Sequence, residues 1–120
     1  MGQSYRDLFA WQKAMDFVVA IYKCTNAFPR DETYGLAAQL RRTAVLIPTN
    51  IAQGQARFSP GEFFSFLGRA RGALVEVETQ VILSQRLQYL TDERAQQVLD
   101  KASELGKILN GLITSIRPAA

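Results

Sequence analysis

The chain has 120 residues, 48% of them hydrophobic, with no histidine, a single cysteine and a formal net charge of +3. That length and apolar content suffice for one domain with its own core and no metal or disulfide staple, and the lone Cys24 excludes an intrachain disulfide. Polar or charged residues interrupt every apolar stretch before the roughly 18–20 residues of a membrane span, and the N-terminus carries no secretory pattern, so a cytoplasmic protein is expected.

The first predicted helix runs from about Leu8 to Cys24, with Trp11, Met15, Val18 and Tyr22 spaced as one apolar face. Phe28-Pro29 then marks a turn, and Asp31, Glu32 and Thr33 supply acidic residues suited to a helix start. Leu36, Leu40, Thr43, Ile47 and Ile51 continue a second helix up to Gly54. Pro48 lies inside it and should kink or divide it near Leu46 to Pro48, because proline lacks an N–H and crowds the preceding turn. Asn50 is placed to satisfy the carbonyl that Pro48 leaves without a donor.

Ser59-Pro60-Gly61-Glu62 has the form of a helix start, with a capping hydroxyl, a proline at the first helical position and a glutamate able to reach back. Phe63, Leu67, Ala70, Leu74, Val77 and Val81 carry the core stripe of the third helix as far as a turn at Leu90 to Glu93. A fourth follows, with Ala95, Val98, Ala102, Leu105, Leu109, Leu112 and Ile116 spaced three and four apart and Pro118 blocking continuation. The expected fold class is all-α, an antiparallel up-down four-helix bundle forming a single domain over residues 1–120.

One bundle does not account for all the apolar surface. Phe64, Val75 and Ile82 lie about 100° around the third helix from its core stripe, and Phe17 and Ile21 are similarly displaced on the first. These five residues are the expected oligomer interface, since a contiguous exposed apolar patch marks an interaction surface; the other reading is that an edge helix simply has a wide core face. Charge is also uneven. Between Thr33 and Val75, Arg41, Arg42, Arg57, Arg69 and Arg71 face one acid, Glu62, leaving that segment at +4 and the remainder at −1. Arginine forks suit phosphate oxygens, so these five, converging on one end of the bundle, are the candidate nucleic-acid-binding residues.

Catalytic and cofactor chemistry has little to work with. Di-iron and haem sites in bundles need histidine or clustered inward carboxylates, and Glu76 and Glu78, two apart, point to different faces. Cys24 lacks a histidine partner and is expected to pack. Gly68 and Gly72 sit inside a helix, where close helix approach is a better reading than a phosphate loop. No enzyme, metal or cofactor is expected.

The run Tyr34-Gly-Leu-Ala-Ala-Gln-Leu-Arg-Arg-Thr-Ala-Val-Leu-Ile-Pro-Thr-Asn-Ile-Ala-Gln-Gly54 strongly resembles bacterial four-helix-bundle proteins encoded by intervening sequences in large-subunit ribosomal RNA genes. Tyr5, Leu8, Phe9 and Trp11, then Phe28-Pro29, the Ser59 to Phe63 cap, and Glu76-Val-Glu-Thr-Gln80 extend the likeness over nearly the whole chain. It departs at Gln53, where the family usually carries glutamate, and at Leu46, where it carries a small residue. The resemblance implies an up-down bundle and a homo-oligomer, with a pentameric ring as the model. A related retroelement accessory protein binds nucleic acid and a reverse transcriptase, so RNA or DNA and such a protein are the implied partners. The leading expectation is therefore a homo-oligomeric nucleic-acid-associated scaffold; the alternative is a protein-interaction module that binds no nucleic acid.

Overall fold

The computed structural model describes residues 4–117. Four helices account for most of them: α1 (Phe9–Thr25), α2 (Leu36–Gln55), α3 (Pro60–Arg86) and α4 (Asp92–Ile116). Short 3-10 turns at Tyr5–Asp7 and Arg30–Glu32 precede α1 and α2. Each helix packs against its sequence neighbours and α1 closes on α4, giving a rod of 46 × 22 × 21 Å. Side-chain cross-links join the neighbours. Thr43 of α2 bonds Glu76 of α3, Arg41 of α2 bonds Thr25 of α1, and Lys13 of α1 pairs with Glu104 of α4. With the short connections, these contacts are compatible with neighbours that run in opposite directions. Among the described residues no helix is long and apolar enough to cross a membrane.

The helix boundaries follow local chemistry. Ser59 caps α3 by accepting the Glu62 N–H, with Pro60 at the first helical position. Thr91 caps α4 by accepting the Arg94 N–H. The turns on either side of α3 each contain a left-handed residue, Phe58 (φ 58°) after α2 and Gln88 (φ 65°) after α3. Pro118, expected to stop α4, lies outside the described residues.

The core stripes of α2, α3 and α4 follow the predicted spacing, except that Phe63, Leu112 and Ile116 at their ends are only half-buried. Leu36, Leu40, Thr43, Ile47 and Ile51 are buried, as are Leu67, Ala70, Leu74, Val77 and Val81, and Ala95, Val98, Ala102, Leu105 and Leu109. Gly54 is buried where α2 meets α3. A Cβ there would press on the Cβ of Phe66 and the ring of Phe63, so the close approach of the two helices requires glycine.

Helix α1 is rotated from its expected orientation. Ala10, Ala14, Phe17, Ile21 and Cys24 face the core, with Phe17 2% and Ile21 0% exposed, whereas Met15 and Tyr22 are exposed and Trp11 and Val18 half-buried. Phe17 and Ile21 are therefore core residues, inaccessible to a neighbouring subunit. Both faces of α1 are apolar, and the small side chains of Ala10 and Ala14 select the one that packs inward. Helix α2 is not divided at Pro48, which is buried inside one helix from Leu36 to Gln55, an arrangement compatible with a kink there. The carbonyl deprived of a donor by Pro48 is that of Ala44, but Asn50 donates its Nδ2 to the Leu46 carbonyl at 2.8 Å. Asn50 thus does not fill the vacancy left by the proline.

At the end of the rod where α1 passes into α2, Glu32 bonds in two directions. One carboxylate oxygen accepts the Leu36 N–H at 2.9 Å, capping α2, and the other accepts the Tyr89 hydroxyl at 2.9 Å, tying this connection to the α3–α4 turn. Tyr89 also packs its ring against Phe28, with centroids 5.5 Å apart. The Leu36 amide foremost, and the Tyr89 hydroxyl second, hold the Glu32 carboxyl below its ordinary value. A depressed carboxyl stabilises the fold fully above its unfolded pKa and loses that contribution as pH falls through its folded one. Thermal denaturation of wild type and Glu32→Gln between pH 7 and pH 3 should therefore show the variant less stable at pH 7. The two melting temperatures should converge below the ordinary carboxylate range.

Candidate nucleic-acid and subunit surfaces

The five arginines fall into three places. Arg41 is committed to the bundle: Nε donates to Thr25 Oγ1 at 2.8 Å, and one Nη donates to Asn26 Oδ1 at 2.9 Å and to the Tyr22 carbonyl at 3.2 Å. Its guanidinium also lies 4.7 Å from the Tyr22 ring centroid. A cation there satisfies carbonyl and hydroxyl groups at the C-terminus of α1, where the helix dipole is negative. Arg42, next along the chain, is exposed.

Arg57 and Arg69 lie toward the opposite end, their guanidinium carbons 5.2 and 4.6 Å from the ring centroid of one side chain, Phe66. Fifteen positions separate Arg42 from Arg57, about 22 Å at the helical rise. Arg71 is turned toward α4, sharing a hollow with Arg117. The expected convergence of all five on one end does not occur. Arg57 and Arg69 meet, Arg42 is free at the far end, Arg41 is held by α1, and Arg71 belongs to another face.

The apolar surfaces lie on opposite sides of the rod. On the α1–α2 side a hollow of about 380 Å³ is lined by Tyr5, Trp11, Met15, Val18, Val45, Pro48 and Ala52 among others. Met15, Val19, Tyr22 and Val45 around it are 39–52% exposed. On the α3–α4 side a second hollow of about 380 Å³ has Phe64, Gly68, Gly72, Val75 and Ile113 in its lining, with Arg71 and Arg117. Val75 and Ile82 are 53% and 41% exposed, and Phe64 is half-buried beneath the Arg117 guanidinium. The α3 residues of the expected interface are thus on the surface, whereas on α1 Phe17 and Ile21 are buried and the exposed apolar residues are Met15, Val19 and Tyr22. Spacing alone marks both α1 stripes as apolar and does not say which one faces outward.

Gly68 and Gly72 also differ from expectation. A Cβ at either would meet nothing within 4 Å, so no helix of this chain approaches them closely. Glycine inside a helix costs about 1 kcal/mol relative to alanine, and packing within the bundle does not explain two of them on the α3–α4 face.

Other chemistry is sparse. Glu76 Oε2 accepts the Thr43 hydroxyl at 2.8 Å, and no three histidine, cysteine, aspartate or glutamate side chains gather to hold a metal among the described residues. Cys24 is buried, and burial foremost raises its thiol pKa, although Arg94 and Arg41 oppose the shift. A protonated thiol is a poor nucleophile, consistent with packing.

These positions separate the arginines by role. Arg41→Ala should lower the melting temperature, since it leaves the Thr25 and Asn26 side chains and the α1 terminus without their cation; a loss of about 1–2 kcal/mol is expected. Arg42→Ala should stay within about 0.5 kcal/mol of wild type. Chemical denaturation of both variants checks the contrast.

A family model described as 23S rRNA-intervening sequence protein matches residues 6–111. A solved structure from Bacteroides thetaiotaomicron, a protein with unknown function from the S23 ribosomal protein family, superposes with a TM-score of 0.81. It is 23% identical, and the alignment covers 88% of this chain and 95% of that one. At that identity the likeness speaks for the fold alone. Comparison with curated proteins gives no match.

Proposed function

The chain belongs to the 23S rRNA-intervening sequence protein family, and from that premise we propose that it is a non-enzymatic, cytoplasmic homo-oligomeric scaffold that holds nucleic acid on arginine side chains. The observation that carries the assembly is the pair of unlike apolar faces on opposite sides of one rod. A face that meets its own copy gives a two-fold dimer, whereas two different faces that meet each other give a head-to-tail contact, which closes into a ring when the rotation permits. The open surface at Gly68 and Gly72 suits the close approach of a helix from the next copy. A pentamer, as the family resemblance implies, is the expected ring.

The nucleic-acid part rests on arginines outside both hollows. Arg42, Arg57 and Arg69 are exposed, and none forms an ion pair with a described acid. A ring repeats each of them once per subunit, so weak phosphate contacts add up through a high effective concentration.

One experiment reaches both halves. Val75→Asp and Met15→Asp each place a charge in one of the two faces at a solvent-accessible position. Size-exclusion chromatography should show either variant eluting as a smaller species with an unchanged helical circular dichroism spectrum. Gel shifts with a structured RNA should show the variants binding at least about tenfold more weakly than wild type, through lost multivalency. Wild-type affinity should fall steeply between 50 and 200 mM salt. Assembly unaltered by both substitutions would contradict the interface. Wild type that fails to bind at low salt would contradict the nucleic-acid role, leaving a protein partner as the reading to pursue.

A further inference from the structure

The turn between α2 and α3 presents an aromatic ring that the bundle does not use. Phe58 is 83% exposed and has φ 58°, in the left-handed region where a bulky side chain is disfavoured and where helix exits usually place glycine or asparagine. The other left-handed residue, at the α3–α4 turn, is Gln88, whose polar side chain is at ease in water. Phe58 combines backbone strain with an apolar ring in solvent. Backbone outliers of this kind cluster at functional sites, which makes this turn a candidate position for a ligand.

The surroundings specify which one. Arg57 precedes Phe58, and both Arg57 and Arg69 lie against the ring of Phe66. Phe66 is 9% exposed and seated on Gly54, so a fixed aromatic side chain holds two cations at one end of the rod. The only acid in this turn and the first turn of α3 is Glu62, and neither arginine forms an ion pair with it. An exposed ring on the residue after Arg57, with Arg57 and Arg69 gathered on Phe66, brings a stacking platform and phosphate donors to the same turn, the two elements that bind unpaired nucleotides.

We infer that Phe58, Arg57 and Arg69 form a site for single-stranded nucleic acid, in which a base stacks on Phe58 while the arginines contact flanking phosphates. The inference rests on the nucleic-acid reading above and narrows it from nucleic acid in general to unpaired nucleotides. Stacking requires a free base face, which a duplex offers only at its ends. Because every base has such a face, the site should tolerate many sequences.

The test uses the full chain with one mixed-sequence oligonucleotide carrying 2-aminopurine, supplied as single-stranded RNA, as single-stranded DNA and as a duplex. Fluorescence anisotropy reports affinity, and 2-aminopurine emission reports stacking. Wild type should bind a single strand more tightly than the duplex and change the 2-aminopurine signal. Phe58→Ala should weaken single-strand binding by about fivefold or more and abolish that change, while Phe58→Trp should retain both. Circular dichroism and duplex binding should be the same for all three proteins, since the ring lies outside the core. Arg69→Glu should weaken binding to every oligonucleotide. Single-strand affinity and 2-aminopurine signal unchanged in Phe58→Ala would overturn the stacking site and leave the broader nucleic-acid reading standing. Absence of wild-type binding to all three oligonucleotides at low salt would overturn both.

Discussion

Ala10 and Ala14 set the rotation of α1, and that rotation decides what the bundle shows to solvent. Both are almost wholly enclosed, and side chains that small let α1 settle close to its neighbours with Phe17 and Ile21 filling the space below. Turning the helix to bury Trp11 and Met15 would insert larger volumes into a close-packed interior, where even one extra methylene is felt. The large residues are thereby left on the flank shared with α2, beside Val45, Pro48 and Ala52. The apolar hollow there is a consequence of how the core is filled.

The same constraint orders the remaining surface. Four helices arranged in sequence around one core place the α1–α2 flank opposite the α3–α4 flank, and the latter carries Phe64, Val75 and two glycines that this chain leaves uncovered. Charge is distributed around these flanks. Arg41 serves the end of α1, Arg71 and Arg117 border the α3–α4 hollow, and Arg57 and Arg69 gather on Phe66 near the turn that exposes Phe58. The rod thus has two unlike apolar sides and, at one end, two arginines gathered on Phe66 near an exposed ring, and the proposed scaffold rests on these features.

Much of this architecture is legible in the amino-acid sequence. Ser59-Pro60 sets the start of α3, and the Leu36 to Ile51 stripe sets the buried face of α2, because capping and periodicity are local properties. The inward face of α1 is not legible in the same way. Trp11, Met15, Val18 and Tyr22 are as periodic as Ala10, Ala14, Phe17 and Ile21, and only the volume left by three other helices distinguishes them. Arg41 looks like Arg42 in sequence, yet one of them meets Thr25 and Asn26, sixteen and fifteen residues away. Continuity of α2 through Pro48 is likewise a tertiary outcome, with packing on both sides holding a helix that proline weakens. Phe58 is masked by Gly54, the glycine at which periodicity ends the second helix, whereas α2 runs on to Gln55 and the left-handed conformation falls on Phe58.

The central claim is that the bundle is incomplete as a single copy, and the solution mass of the wild-type protein tests it most directly. Light scattering coupled to chromatography at micromolar concentration should give a mass several times the 13.4 kDa of the chain, with about five copies as the expected value for a closed ring. A mass of one chain that persists as concentration is raised would contradict the account.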